Sequence, residues 1–304
     1  VNEHFIIRNN ILYTEDWNSG ISLGTISSNN ISIINNTIYG SVYRKQFGSG
    51  IQLYNVQKCY IYNNSVYSKD IGIKIISSSN CVIGNNSLLH NGRDIDMIDC
   101  TEILIANNTL MVDVNRSRYD LPDSIHIANS LNISINSKEC KNGGIWFSGD
   151  SSSTIILQNN SVNGLDLGFF IDQASLFFDN SHQYGQLILV NCTNCVSFNL
   201  SISHCVAGIS FYNCSYSNCS SCNFSENYYS GLYIAYSVNL TISDGKFNYN
   251  RLDGARVAYS DAIELTGNEF RYNLYGVFVS NSNVIYNNNT FSNNAYQDVR
   301  VYDY

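Results

Sequence analysis

Gly50-Ile51-Gln52-Leu53, answered thirteen residues after its glycine by Asn63-Asn64-Ser65-Val66, decides the fold of this chain. The same phrase returns as Gly72-Ile73-Lys74-Ile75 with Asn85-Asn86-Ser87-Leu88. A third copy reads Asp94-Ile95-Asp96-Met97 with Asn107-Asn108-Thr109-Leu110. A unit this short cannot bury its apolar face alone, so copies must stack. Working outward, anchors fall at Gly20, Gly50, Gly72, Asp94, Ser124, Gly144, Gly168, Gln186, Gly208, Gly231, Gly254 and Gly276, mostly 20–24 residues apart. The longer steps into Gly50 and Ser124 hold insertions near 41–49 and 113–123, and the step from Gly168 to Gln186 is short.

The residues one and three after an anchor are apolar, as in Ile51/Leu53, Ile73/Ile75, Ile95/Met97 and Leu232/Ile234. Such period-two alternation marks a half-buried strand. A second alternation follows in each unit (Ile31/Ile33, Ile103/Ile105, Leu240/Ile242), and a third short one follows the Asn pair (Ile38, Val66, Val162). Three short strands per unit without helical periodicity predict an all-β chain. Its expected architecture is a right-handed parallel β-helix of about 12 coils with ~22 residues per coil, a single domain over 1–304. At ~4.8 Å per coil the rod is roughly 55–60 Å long. Glycine before the strand and Asn at the bends are expected to supply positive-φ corners. A single proline, Pro122, fits strands that donate backbone bonds to both neighbours.

A hydrophobic share of 44% argues against disorder, whereas 13% charged residues is about half the usual share, so Tyr, Asn and Ser must fill exposed positions. The net charge of −8 disfavours nucleic acid and anionic membrane partners. No apolar run approaches the length of a membrane span. The chain begins at Val1 without a signal peptide, which reads as a processed mature form or a fragment. Ten cysteines and fifteen Asn-x-Ser/Thr sequons point to an oxidising, extracellular or cell-surface setting. The sequon residues are Asn30, Asn35, Asn63, Asn85, Asn107, Asn115, Asn132, Asn159, Asn191, Asn199, Asn213, Asn218, Asn223, Asn239 and Asn288. Composition alone would produce roughly half of them. Asn-Asn therefore reads first as a bend, with glycans on a minority of sites.

Units such as Gly50–Val66, of the form Gly-Ile-x-Leu…Asn-Asn-x-Val, resemble the parallel β-helix repeats of the NosD-like, carbohydrate-binding-and-sugar-hydrolase superfamily, abundant in archaeal surface proteins. That resemblance covers most of the chain. It implies the fold, and a function among polysaccharide-cleaving enzymes, binding modules and surface scaffolds. Cysteine-rich, sequon-rich chains of this kind look most like sheath or surface-layer structural proteins.

Cys59 and Cys81, Cys192 and Cys214, and Cys195 and Cys219 repeat in columns, so each pair is a candidate disulfide between neighbouring coils. The rival reading of Cys192-x-x-Cys195 and Cys219-x-x-Cys222 is a four-thiolate zinc site, but the repeat already explains that spacing, and no metal or cofactor is expected. Cys140 and Cys205 lack an evident partner and are candidates for a bridge to a second chain.

The column two residues after the anchor reads Ser22, Gln52, Lys74, Asp96, His126, Trp146 and Phe170, and is expected to face outward. Lys74, Asp96 and His126 are the candidate catalytic groups and Trp146 a candidate sugar platform, with His90, Arg93, Asp94, Asp99 and Asp123 nearby. The competing account is a solvated charged face. Tyr54, Tyr62, Tyr233 and Tyr236 are expected to form cross-coil ladders. Both ends of the sequence read as strand without a capping helix, which points to end-to-end and lateral self-assembly of a structural subunit of a sheath, surface layer or fibre, unless a flanking domain supplies the caps. The alternative is a polysaccharide-binding or polysaccharide-cleaving protein using the Lys74/Asp96/His126/Trp146 face, with cell-surface glycans as partner.

Overall fold

The computed structural model describes residues 4–14, 18–24, 29–40, 48–114, 122–136, 139–148 and 154–302. Most of both expected insertions, and Asn115, lie outside the described residues. The described residues form thirty-five strands and no α-helix. The chain divides into two compact units, Val1–Gly164 and Leu165–Tyr304.

In the first unit each coil contributes a strand to each of three parallel walls. The anchor wall stacks Ile21–Gly24, Ser49–Tyr54, Ile71–Ile76, Arg93–Ile98, Ile125–Ala128 and Ile145–Ser148. The second holds Gln57–Tyr62, Ser79–Gly84 and Thr101–Ala106, and the third Ser65–Tyr67, Ser87–Asn91 and Thr109–Val112, with further coils on either side. The register follows the sequence repeat: Ile51 pairs with Ile73, and Ile73 with Ile95. These side chains are fully buried, as are Leu53, Ile75 and Met97, because alternate residues of a strand point to one side.

The Asn-Asn phrase divides its labour. The first Asn turns the corner with positive φ, 54° at Asn63, 52° at Asn85 and 56° at Asn107. Asn tolerates this conformation better than other side-chain-bearing residues. The second Asn is buried and forms a ladder between coils. Asn64 N–H donates to Asn86 Oδ1 at 2.9 Å, and Asn86 N–H to Asn108 Oδ1 at 2.9 Å. Each amide Nδ2 reaches back to a carbonyl of the previous coil, Asn86 to Ile61 and Asn108 to Ile83, both at 2.9 Å. The anchor glycines do something else. Gly50 and Gly72 are absent from the positive-φ residues, and a Cβ at Gly72 would lie 2.6 Å from the Asp94 carbonyl oxygen. Close backbone approach, rather than the expected positive φ, selects glycine there.

The second unit repeats the plan with different fillings. Its main wall stacks Leu165–Ile171, Tyr184–Val190, Ala207–Tyr212, Ser230–Ala235, Asp253–Ala258, Tyr275–Ser280 and Gln297–Tyr302. A second wall runs from Phe177–Phe178 to Val284–Asn287. Phe247, Phe270 and Phe291 stack through the interior with ring centroids 5.2 and 5.3 Å apart. Another ladder, Asn227, Asn250 and Asn273, passes N–H to Oδ1 at 2.9 and 2.8 Å. In the short coil, a register shift between Asp166 and Leu167 places Leu167 opposite Gln186 and Gly168 opposite Leu187, so the expected anchor is displaced by one residue.

Candidate functional site

The anchor wall of the first unit brings the expected ionisable column together. Asp96 is the register partner of both Lys74 and His126, and His126 of Trp146. Asp96 Oδ1 lies 2.7 Å from His126 Nδ1 and accepts from Arg93 Nη1 at 2.9 Å, while Lys74 Nζ stands 3.7 Å from Oδ2. Burial pushes the Asp96 carboxyl up, but the hydrogen bond from His126 and the charges of Arg93, His126 and Lys74 outweigh it and hold the group below its ordinary range. Arg93 also donates through Nε to buried Asp123. Burial raises the Asp94 carboxyl well above its ordinary range, against a hydrogen bond from Asn91.

Two features of this column differ from expectation. Asp96 is only 2% exposed, because Arg93 bonds it from the same strand while Lys74 and His126 engage it from the strands on either side. Trp146 is 5% exposed, which leaves no open ring face for a sugar. His126, 12% exposed, directs Nε2 to Ser148 Oγ at 2.8 Å.

Of the cysteine pairs, Cys59 and Cys81 are register partners and form a disulfide with Cα atoms 4.5 Å apart. Cys192 and Cys214 also meet in neighbouring coils, as buried free thiols. Cys195 and Cys219 do not stack: Cys195 N–H donates to Ser217 Oγ, and Cys219 pairs with Ser197. The two cysteines are two residues out of step with the coil. Cys140 and Cys205 are 1% and 0% exposed, so neither thiol can reach a second chain from the folded state. Burial pushes the Cys140 thiol up to about 12. Among the described residues, no group of three or more His, Cys, Asp or Glu is placed to hold a metal. Of the fourteen described sequon Asn residues, all but the half-buried Asn30 and Asn191 are exposed.

A second constellation escaped the sequence reading, which followed the outward column only as far as Phe170. Continued from Gly231, Gly254 and Gly276, the same offset gives Tyr233, Arg256 and Phe278. In the second unit these are register neighbours, and Phe278 pairs onward with Arg300. The Arg256 guanidinium lies 4.2 Å from the Phe278 ring centroid and 5.0 Å from that of Tyr229. Arg300 lies 5.0 Å from the centroid of Tyr302 and 5.2 Å from that of Tyr275. Asp253, fully buried, accepts from Arg256 Nε at 2.6 Å. Burial lifts the Asp253 carboxyl to about 6, against the pull of Arg256. Arg300 has no carboxylate partner among the described residues. Tyr233, Arg256, Tyr259, Phe278, Arg300 and Tyr302 line a cavity of about 480 Å³, in the range of small-ligand sites.

Parallel coils, three walls and Asn corners define a β-solenoid, and the chain belongs to the family described as the right handed beta helix region, matched over residues 49–182 and 175–303. No curated protein matches the chain. Among solved structures, it is similar to the Streptococcus pneumoniae surface protein and adhesin PfbA, at 10% identity, covering 97% of this chain and 91% of that one, with a TM-score of 0.38. It is also similar to the A-module of the Azotobacter vinelandii mannuronan C-5 epimerase AlgE4, at 11% identity, covering 96% and 79%, with a TM-score of 0.34. The receptor binding domain of the siphovirus 9NA tailspike matches at 9% identity over 99% and 76%, with a TM-score of 0.29. Likeness at this level carries no functional argument.

Proposed function

We propose that this chain is an extracellular or surface-exposed β-helix that binds acidic polysaccharide along the Arg256–Phe278–Arg300 wall. The observation that carries this reading is the pair of arginines in one column, each packed on aromatic rings, around a cavity of about 480 Å³. A guanidinium offers a planar fork to a carboxylate, and the neighbouring rings offer flat apolar faces to a sugar. Arg256 is offset by Asp253, whereas Arg300 has no carboxylate partner among the described residues. The extracellular placement is supported by the Cys59–Cys81 disulfide and by the exposed sequons.

Calorimetric titration with oligogalacturonate against a neutral glucan of equal length tests the reading. The acidic ligand is expected to bind more tightly and to weaken with salt, and R300A to lose roughly 10- to 100-fold, the worth of a charge-assisted hydrogen bond. Equal binding of both ligands, or an unaffected R300A, would refute it.

A second reading keeps the chain structural, as a self-associating subunit of a sheath, surface layer or fibre. Stacked, exposed tyrosine columns favour it: Tyr236 on Tyr259 at 5.2 Å and Tyr249 on Tyr272 at 4.6 Å give flat apolar stripes for lateral contact between copies. Electron microscopy of the unreduced protein separates the readings, since dispersed single molecules would dismiss self-association and leave polysaccharide binding intact.

A further inference from the structure

Ser148, His126 and Asp96 stand in a row across three successive strands, Ile145–Ser148, Ile125–Ala128 and Arg93–Ile98. Ser148 Oγ is 2.8 Å from His126 Nε2, and His126 Nδ1 is 2.7 Å from Asp96 Oδ1. We propose that these side chains form a serine-nucleophile relay that hydrolyses carboxylic esters, an activity separate from the polysaccharide-binding wall and carried by the other unit.

The surrounding charges fix where the protons sit. Arg93 at 2.9 Å and Lys74 at 3.7 Å keep Asp96 an ionised acceptor. A carboxylate can only accept, so His126 Nδ1 carries the proton and donates it to Asp96. Arg93 Nη1, 3.1 Å from the same ring nitrogen, is then a fellow donor to Asp96 rather than a partner of the histidine. In the neutral imidazole the lone pair of Nε2 faces Ser148, whose hydroxyl then donates. This is the arrangement by which a base activates a serine, recognised by geometry and roles rather than by chain order. Exposure is graded in the same sense: Asp96 is buried at 2%, His126 is 12% exposed and Ser148 is half-buried. The register pairs Ser148 with Ala128 and His126 with Trp146, so the contact is diagonal, with the imidazole leaning out of its own column toward the hydroxyl.

The chemistry balances with water as co-reactant. Ser148 Oγ forms a bond to the ester carbonyl carbon as its proton passes to His126 Nε2. The bond between carbonyl carbon and alcohol oxygen breaks, and the departing oxygen takes that proton. Water then attacks the acyl-serine, giving a proton to Nε2, which returns it to Ser148 Oγ as the acid leaves. One ester and one water yield one alcohol and one acid. The slight exposure of His126 suits a short acyl group, such as acetyl. Ser148 and His126 are the catalytic residues, and Asp96 is a positioning residue.

The test uses a fluorophosphonate probe on the whole chain, with peptide mapping, and p-nitrophenyl acetate as substrate. The adduct is expected on Ser148 in the native protein and nowhere after denaturation. S148A should abolish labelling and turnover, and H126Q should slow both by about 100-fold or more, the usual share of a general base. D96N should lower kcat with KM unchanged, as a misoriented imidazole would, with circular dichroism showing the fold retained. An unlabelled Ser148, or H126Q labelled as fast as the native protein, would overturn the proposal. If H126Q fails to fold, native labelling compared with S148A decides alone. Polysaccharide binding by R300A and by native protein is read separately, so either proposal can fail without the other.

Discussion

Replacing Asn86 with alanine isolates the energetic role of the repeat phrase. Asn86 is 1% exposed. Its Oδ1 accepts from Asn64 N–H at 2.9 Å and Asn64 Nδ2 at 3.1 Å, while its Nδ2 donates to Ile61 O at 2.9 Å and Asn108 Oδ1 at 3.0 Å. Alanine removes all four partners, yet the backbone corner at Asn85 remains. A buried donor left unsatisfied costs about 1–3 kcal/mol, and Asn64 N–H is such a donor, with its amide partly stranded beside it. Allowing for the alternative carbonyl contacts of Asn64 Nδ2, the loss is expected to be about 3–4 kcal/mol. Asn10 supplies the internal control. It lies in the same ladder but is exposed, and its side chain only donates, from Nδ2 to Asn36 Oδ1 and to Arg8 O, beside the N–H that also reaches Asn36 Oδ1. N10A is expected to cost under about 1 kcal/mol, because water can replace its amide. Urea unfolding followed by circular dichroism measures both variants, with m-values compared to confirm that the same structure is lost. A loss for N86A within about 0.5 kcal/mol of that for N10A would refute the idea that the buried amide ladder stabilises the coil.

Three further outcomes are expected. Replacing Cys59 and Cys81 together with serine frees a loop of sequence separation 22 and should cost about 3 kcal/mol by the chain-entropy relation, seen as a lower urea midpoint that matches reduced native protein. G72A should destabilise by about 1–3 kcal/mol, since its Cβ would meet the Asp94 carbonyl oxygen at 2.6 Å; a neutral effect in thermal melts would show that the strands can separate freely. Asp253, lifted to about 6 by burial, binds a proton in the folded state that the unfolded chain has already released, so stability should fall as pH rises from about 4 to 6. D253N should flatten that slope, and an unchanged pH profile would show that Asp253 does not titrate in this window.

The coil was legible in the sequence wherever register is set by alternation. Ile51, Ile73 and Ile95 were placed as neighbours because one-residue slippage would turn every apolar side chain outward. The same counting paired Cys59 with Cys81. It failed for Cys195 and Cys219, which lie 24 residues apart where the register advances by 22, so that Cys219 falls opposite Ser197. It failed again at Gly168, because a bulge adds a residue without changing the pattern of residue types. Burial of Asp96 and Trp146 was hidden for another reason. An outward position on one strand says nothing about what a neighbouring side chain such as Arg93 lays across it. The contact of His126 with Ser148 was likewise invisible, since it crosses the register diagonally and depends on a side-chain rotamer.

Why chemistry gathers on the anchor wall follows from the division of labour within each coil. The corners are committed to positive-φ residues, most often Asn, the interior to Ile, Leu and Phe, and the ladders to buried amides whose replacement exposes a backbone donor. The anchor must stay small where the next strand passes within van der Waals distance. The position two residues later carries none of these duties, so its identity is free to change from coil to coil. In the first unit it holds Lys74, Asp96, His126 and Trp146, and in the second Tyr233, Arg256, Phe278 and Arg300. Backbone hydrogen bonds fix the spacing of successive members near 4.8 Å, close enough for ion pairs, ring stacking and proton transfer between neighbours. A solenoid therefore places a site by writing it one residue per coil, and the residues that form it are separated by about 22 positions in sequence although they touch in space.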